Sequence, residues 1–207
     1  MSDFREEKRL WKKGFKRIAC LDEAGRGPLA GPVVACATLF QQIPNHEFQT
    51  PKIKDSKKLT KKKREEFYKI LTKHPNIRWG TGMVSEKVID KINILEATKL
   101  AMEKAIKKLR KKPDFLILDG KMRLNLSIPQ KSIVKADEKV FSCCAAGIIA
   151  KVTRDRIMQR LHKKYPRYRF NQHKGYPTKY HFRMLKKYGP CKIHRKTFWP
   201  VRACKSK

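Results

Sequence analysis

The chain has 207 residues, 40% of them hydrophobic, which suits one domain or a domain with a small appendage and suffices for a core. Lys and Arg number 52 against 18 acids, and the formal charge of +34 predicts a polyanionic partner. The charged N-terminus lacks the apolar core of a signal peptide, the longest apolar stretch (Phe141 to Ala150) is too short to span a bilayer, and six cysteines without a CxxC pair argue against a disulfide or zinc framework. These features describe a reduced cytoplasmic protein with no membrane segment, expected as a monomer.

Residues 1–16 read as a charged helical arm in which Phe4, Leu10, Trp11 and Phe15 are available for packing. Ile18 to Leu21 and Pro32 to Phe40 are apolar runs joined by a Gly/Pro-rich bend, which predicts two strands, antiparallel because the connection is short. Asp22 and Glu23 close the first run. Carboxylates there are costly to bury without a compensating cation or proton, so the pair indicates either a metal site or a salt bridge, with Arg26 as the partner for the latter. Neighbours on a regular strand face opposite sides, so a shared site requires a distortion or the Glu23 carbonyl. The bend is not a P-loop, which needs Gly-Lys-Ser/Thr before a helix. Nor is it a dinucleotide fingerprint, since Gly25, Gly27 and Gly31 are spaced GxGxxxG and strand formers follow. Its glycines expose main chain to something that must come close.

Residues 41–53 read as a polar loop. Thr60 is placed to cap a helix over 60–72, and Lys57 and Lys58 just before it read as solvated lysines. Ile77 to Ser85 reads as a third strand. Asn93 to Arg110 carries the clearest helical pattern: Asn93 and Glu96 form a variant capping box, and Leu95, Thr98, Met102, Ala105, Ile106 and Leu109 make a core stripe. Phe115 to Leu118 followed by Asp119, and Ser132 to Lys135 followed by Ala136 and Asp137, repeat the pattern of a short strand ending in an acid. Three such strands form one site if their C-terminal ends lie side by side. A long helix is expected from Glu138 to about Lys163, and a short one from Tyr180 to Tyr188, closed by Gly189-Pro190. From Tyr165 onward aromatic residues interleave with cations, a composition that can hold sugars, bases and phosphates but also suits a small satellite core. After Asp155 there is no acid, while positions 156–207 carry 17 Lys or Arg.

Asp22, Glu23, Asp119 and Asp137 form an all-oxygen set suited to Mg²⁺ or Mn²⁺ rather than zinc. Two such ions would activate water and stabilise the leaving 3′ oxygen of an in-line phosphodiester displacement.

The segment DEAGRGPLAGPV, from Asp22 to Val33, resembles the signature of type 2 ribonuclease H, or ribonuclease HII. DSKKLT (55–60), NILEAT (93–98), LILDG (116–120), KAD (135–137), AAGIIAKVTRD (145–155) and HKGY (173–176) resemble that family's further motifs in the same order. The resemblance runs from about Arg17 to Val201. It implies an α/β fold, a ribonuclease H-like mixed β-sheet flanked by helices, with a small C-terminal helical basic appendage. The implied division is an arm at 1–16, a catalytic domain at 17–164, and an extension at 165–207 that completes the substrate groove. The implied activity is cleavage of RNA in RNA–DNA hybrids and nicking 5′ of single ribonucleotides in duplex DNA, leaving 3′-hydroxyl and 5′-phosphate ends. Asp22, Glu23, Asp119 and Asp137 would be the catalytic, metal-holding acids. Gly25, Arg26 and Gly27 would approach the ribose 2′-hydroxyl and its phosphate, Lys57 would lie near the scissile backbone, and Tyr176 would stack on the neighbouring deoxyribose.

Two departures from the family pattern stand out. Pro177 follows Tyr176 where glycine is usual, which is expected to tune rate or substrate preference. Cys143, Cys144 and Gly147 stand where small aliphatic residues or serine are usual, which is expected to affect packing. A ribonuclease HIII-like enzyme would carry a GTG-like turn and an extra N-terminal domain, for which the 21 residues before Asp22 leave no room. A non-enzymatic nucleic-acid binder would account for the charge but would not need acids on three strand ends.

Overall fold

The computed structural model describes residues 2–40 and 59–204. Strands β1 (Ile18–Ala24) and β2 (Val33–Phe40) are the two apolar runs, and every residue of β2 is buried. They pair antiparallel, one to one, from Ala19–Leu39 to Ala24–Val34, as the short bend requires. β3 (Ile77–Val84) adds antiparallel to β2, while β4 (Phe115–Asp119) and β5 (Gln130–Ile133) add parallel on the far side of β1. The order β3-β2-β1-β4-β5 puts β1 at the centre, with its C-terminal end beside that of β4.

Helices cover both faces, so the central strands are apolar throughout rather than alternating. Ala19 and Leu21 of β1 pack on helix α3 (Glu86–Lys107) through Ala101, Met102 and Ala105. The opposite face carries Cys36 and Phe40 against Ala145 and Ile149 of helix α5 (Phe141–Lys164). Helix α2 (Lys61–Lys73) starts at the expected cap, the Thr60 hydroxyl accepting the Lys63 N–H at 3.3 Å. Helix α1 (Arg5–Lys12) docks against the start of α5: Leu10 is buried, and Glu7 accepts hydrogen bonds from both the N–H and the hydroxyl of Ser142.

Three expectations need correction. Helix α3 begins at Glu86, and Asn93 is a break within it at φ 65, ψ 171. Asn93 still caps the turns that follow, its Oδ1 accepting from the N–H groups of Leu95 (2.8 Å) and Glu96 (3.1 Å), while the Glu96 carboxylate pairs with Lys99. Leu95 is exposed and drops out of the predicted stripe, while Ile89 and Ala97 are fully buried and join it. The long helix predicted from Glu138 is two, α4 (Ala136–Lys139) and α5, separated by an extended Val140 that bridges to Asp3. β5 ends at Ile133, and a left-handed Lys135 (φ 58) turns the chain, so Asp137 sits in the first turn of α4 rather than on a strand end.

Beyond α5, helix α6 (Phe170–His173) and helix α7 (Lys179–Tyr188) surround a small aromatic core of Tyr168, Phe170, Met158 and Ile193. Thr178 caps α7 and Gly189 (φ 69) closes it. All six cysteines are free thiols; Cys20, Cys36, Cys143 and Cys144 are fully buried, and Cys191 and Cys204 half-buried. Among the described residues no helix is long and apolar enough to cross a membrane.

Candidate active site

A cleft of about 390 Å³ opens past the end of β1, lined by Asp22, Glu23, Gly25, Arg26, Gly27, Asp137, Gly147, Lys151, Tyr176 and Arg64, with Ala24 and Ile148. The two neighbouring acids of β1 reach this one cavity without a bulge, because the register with β2 stays one to one through Ala24. What opens instead is the other edge: pairing of β1 with β4 stops at Leu21–Leu118, so space beyond the sheet is common to both faces. The acids thus lie within the last residues of β1 rather than after it.

Asp22 is buried, and its Oδ1 accepts the Glu23 N–H at 2.6 Å. Desolvation pushes its carboxyl well above the usual range, and the charges of Glu23, Asp119 and Asp137 push it further. Glu23 is raised too, chiefly by burial, with Arg26 opposing and Asp119 adding to the shift. The salt-bridge reading is met in part, since Arg26 Nη1 lies 3.4 Å from Glu23 Oε1. That contact is half exposed and leaves the buried Oε2 of Glu23 with no hydrogen-bond partner among the described residues. Asp119 does not line the cleft; its Oδ1 accepts the Ala136 N–H at 2.6 Å, tying the end of β4 to the turn that presents buried Asp137.

Three acids line the cleft with Asp119 close behind, they raise one another's cost of ionisation, and the buried Oε2 of Glu23 has no hydrogen-bond partner among the described residues. Oxygen-only donors of this kind fit a hard divalent cation. The carboxylates are not closed around one point: among the described residues no three His, Cys, Asp or Glu side chains form a ready cage. Two of the four are turned aside, Asp119 to Ala136 and Glu23 to Arg26.

The glycine bend is held from behind by two buried arginines. Arg154 donates to the carbonyls of Ala30, Pro32 and Lys174 at 2.9–3.1 Å. Arg195 donates to those of Gly25 (2.6 Å), Arg26 (2.8 Å) and Gly31 (2.9 Å). Burial lowers Arg154 to about 10 and Arg195 to about 9, so both remain cationic at neutral pH. Gly25 has φ +102, and a Cβ there would collide with the Arg154 side chain and stand 2.9 Å from Pro32 O. Across the cleft the half-exposed Tyr176 ring faces Gly27, where a Cβ would stand 3.8 Å from Cε1.

A family model described as Ribonuclease HII matches residues 19–201. The chain belongs to the ribonuclease HII family. It is 51% identical over 191 residues to the ribonuclease HII of Chlamydia muridarum, covering 92% of this chain and 86% of that one. With that of Caldicellulosiruptor saccharolyticus it shares 46% identity over 195 residues, covering 94% and 93%. The crystal structure of ribonuclease H2 from Pyrococcus horikoshii is similar at a TM-score of 0.73 and 31% identity, over 91% of this chain and 96% of that one.

The structure gathers Asp22, Glu23, Gly25, Arg26, Gly27, Asp137 and Tyr176 around one cleft, with Asp119 behind it. Lys57 lies outside the described residues. Sequence reasoning missed Arg64, Lys151, Arg154 and Arg195, and read Gly147 as a packing position. A Cβ at 147 would fall well inside van der Waals contact of Asp22 Oδ2, so this glycine makes room for the carboxylate. The signal was present: Gly147, Lys151 and Arg154 recur at i, i+4 and i+7, one face of α5.

Proposed function

We propose that Asp22, Glu23, Asp119 and Asp137 hold divalent cations in a nuclease site that reads the junction between a ribonucleotide and the deoxynucleotide after it. As a member of the ribonuclease HII family, the chain is a divalent-metal-dependent endonuclease that hydrolyses RNA in RNA–DNA hybrids. The finer reading is that it also nicks duplex DNA 5′ of a single ribonucleotide, leaving 3′-hydroxyl and 5′-phosphate ends, with Mg²⁺ or Mn²⁺ as the ion. The observation that carries it is a single cleft lined by three of the acids, the Gly25–Arg26–Gly27 turn and the Tyr176 ring.

Bound divalent ions would supply Lewis-acid activation of water and neutralisation of the leaving oxygen. The protein's own groups do the rest. The carboxyls of Asp22 and Glu23 are pushed up by burial, Asp22 further by Glu23 and Asp119 and Glu23 by Asp119, so divalent charge beside them would relieve a cost the fold already bears. Lys151 and Arg64 put positive charge on the cleft wall, suited to the phosphates on either side of the scissile bond. Gly27, without a side chain, leaves room for a ribose, and Arg26 can reach the adjoining phosphate. The flat face of Tyr176 accepts a deoxyribose, against which a 2′-hydroxyl would be crowded. Lys57 is assigned to the scissile backbone, and the basic aromatic segment from 165 onward to the groove beyond Tyr176.

The test is incubation with Mg²⁺ or Mn²⁺ and a labelled duplex containing one ribonucleotide, beside an all-DNA duplex and the variant Asp22→Asn. A metal-dependent nick immediately 5′ of the ribonucleotide, absent from both controls, is the expected result. Cleavage of hybrids without any nick at the single ribonucleotide would remove the junction reading.

A further inference from the structure

Behind Tyr176 lies a group of imidazoles that the cleft chemistry does not use. His173 and His181 stack with ring centroids 4.5 Å apart, and Phe170 and Tyr168 enclose His181 and His194 edge-on. His181 and His194 are fully buried, and their Nε2 atoms lie 2.9 Å apart. Two imidazole nitrogens at that distance cannot both carry a lone pair or both carry a hydrogen, so one must donate.

The neighbours determine which one. The Cys191 peptide N–H, which can only donate, points to His194 Nδ1 at 2.9 Å, whereas the Cys191 sulfur (3.2 Å) and carbonyl (3.3 Å) stand farther off. His194 therefore accepts at Nδ1 and carries its hydrogen on Nε2. That hydrogen goes to His181 Nε2, which leaves the His181 hydrogen on Nδ1. His181 Nδ1 in turn lies 2.9 Å from the carbonyl oxygen of Tyr176. Each assignment follows from the one before, and the chain ends on the residue that faces Gly27. Burial keeps both rings neutral, His181 lowered to about 4 and His194 to about 3.

The residue after His194 reaches the other wall of the cleft. Arg195 binds the carbonyls of Gly25 and Arg26, and the surrounding main chain is stitched to the bend by Gly31 N–H to Ile193 O and Arg195 N–H to Leu29 O, each 2.8 Å. The Tyr176 carbonyl also receives the Thr178 N–H, and the Tyr176 N–H goes to His173 O, so the turn is fixed at both ends.

We propose that His181 and His194 are positioning residues for junction recognition: a directional relay from the Cys191 N–H through both rings to the Tyr176 carbonyl sets the tyrosine ring against the Gly25–Gly27 turn, which Arg195 holds. The proposal rests on the assignment of Tyr176 as the deoxyribose reader. Long-range ¹H–¹⁵N spectra of the wild-type protein should show His181 as the Nδ1–H tautomer and His194 as the Nε2–H tautomer between pH 6 and 8. His181 as Nε2–H, or either ring protonated at pH 6, would overturn it.

In parallel, kcat/KM is measured on a single-ribonucleotide duplex and on an RNA–DNA hybrid. His194→Phe, which lacks the donor, should lower the ratio of the two by about fivefold, the effect of one hydrogen bond. His194→Gln, which keeps a donor at the Nε2 position, should bring it back to within about twofold of wild type. Equal losses on both substrates, or no recovery with Gln, would overturn the relay; should the Phe variant not fold, the spectra and the Gln variant still decide. Tyr176→Ala separates the two failures. If it lowers the ratio and His194→Phe does not, the relay alone falls; if Tyr176→Ala leaves the ratio unchanged, the reader assignment falls and the relay's purpose with it.

Discussion

At position 147 one methyl group separates two outcomes. A Cβ there would overlap the space of Asp22 Oδ2, and the carboxylate cannot retreat freely because its other oxygen is held by the Glu23 N–H at 2.6 Å. Helix propensity pulls the other way, since alanine inside a helix is favoured over glycine by up to about 1 kcal/mol. Gly147→Ala is therefore expected to lower kcat by about 10²-fold, the scale of a small misplacement of a reacting group, while the melting temperature stays within a few degrees of wild type. Steady-state kinetics beside a thermal melt checks this, and an unchanged kcat in a folded variant would show that Asp22 is not held by this contact. The buried arginines make a similar point. Arg154 and Arg195 are held by main-chain carbonyls and shape the bend without lining its cleft. Arg195 stands in the sequence as one of many cations and Arg154 shares a face of α5 with Gly147 and Lys151, yet neither role shows until burial is seen.

Among the elements, the docking of α1 on α5 carries the clearest pH signature. Glu7 accepts the buried N–H of Ser142 in the first turn of α5, at 3.1 Å, and its hydroxyl at 2.6 Å. Desolvation outweighs these hydrogen bonds and lifts the Glu7 carboxyl to about 7. The folded chain thus binds this proton more tightly than the unfolded chain, whose pKa is the ordinary value of 4.5. The associated stability is complete below about 4.5 and is lost as pH rises through about 7, an effect on the order of 3 kcal/mol. Denaturant titrations between pH 5 and pH 8 should show wild type losing stability relative to Glu7→Gln, which keeps the neutral form at every pH; parallel curves would refute the assignment. The sequence showed much of this level and missed a definable part. Apolar runs and the short bend disclosed β1 and β2 with their antiparallel pairing, and Thr60 disclosed the start of α2. The split of α4 from α5 was hidden because Glu138 to about Lys163 reads as continuous helix; the break comes from Val140 pairing with Asp3, a contact across the chain that local propensity does not encode. In the same way Asn93 was legible as a cap, but not the turns before it, where Val88, Ile89 and Ile92 are held by packing onto the α3 core.

For the whole molecule, a charge of +34 on 207 residues exceeds what contact with one duplex requires. Only cations that displace counterions from phosphates contribute to the salt dependence of binding, so that dependence sorts the working charges from the solvating ones. Lys151 and Arg64 line the cleft, Lys151 also pairing with Asp155 at 2.8 Å, whereas Lys99, paired with Glu96 at the same distance, is not among the residues that line it. The binding constant of Asp22→Asn for an RNA–DNA hybrid is expected to fall by about 10³- to 10⁵-fold between 50 and 200 mM salt, the range for roughly six to ten phosphate contacts rather than for the full net charge. Adding Lys151→Gln should reduce the slope of log K against log salt by about 0.9 and leave the preference for hybrid over all-DNA duplex unaltered, because a phosphate contact positions without reading the sugar. Adding Lys99→Gln should leave the slope where it was. A slope that Lys151→Gln does not move would place the phosphates elsewhere on the surface, with the acid-free stretch from 156 to 207 as the next region to neutralise. A slope near the full formal charge would instead mean that the protein engages nucleic acid all over, and that its selectivity resides entirely in the cleft between the acids and Tyr176.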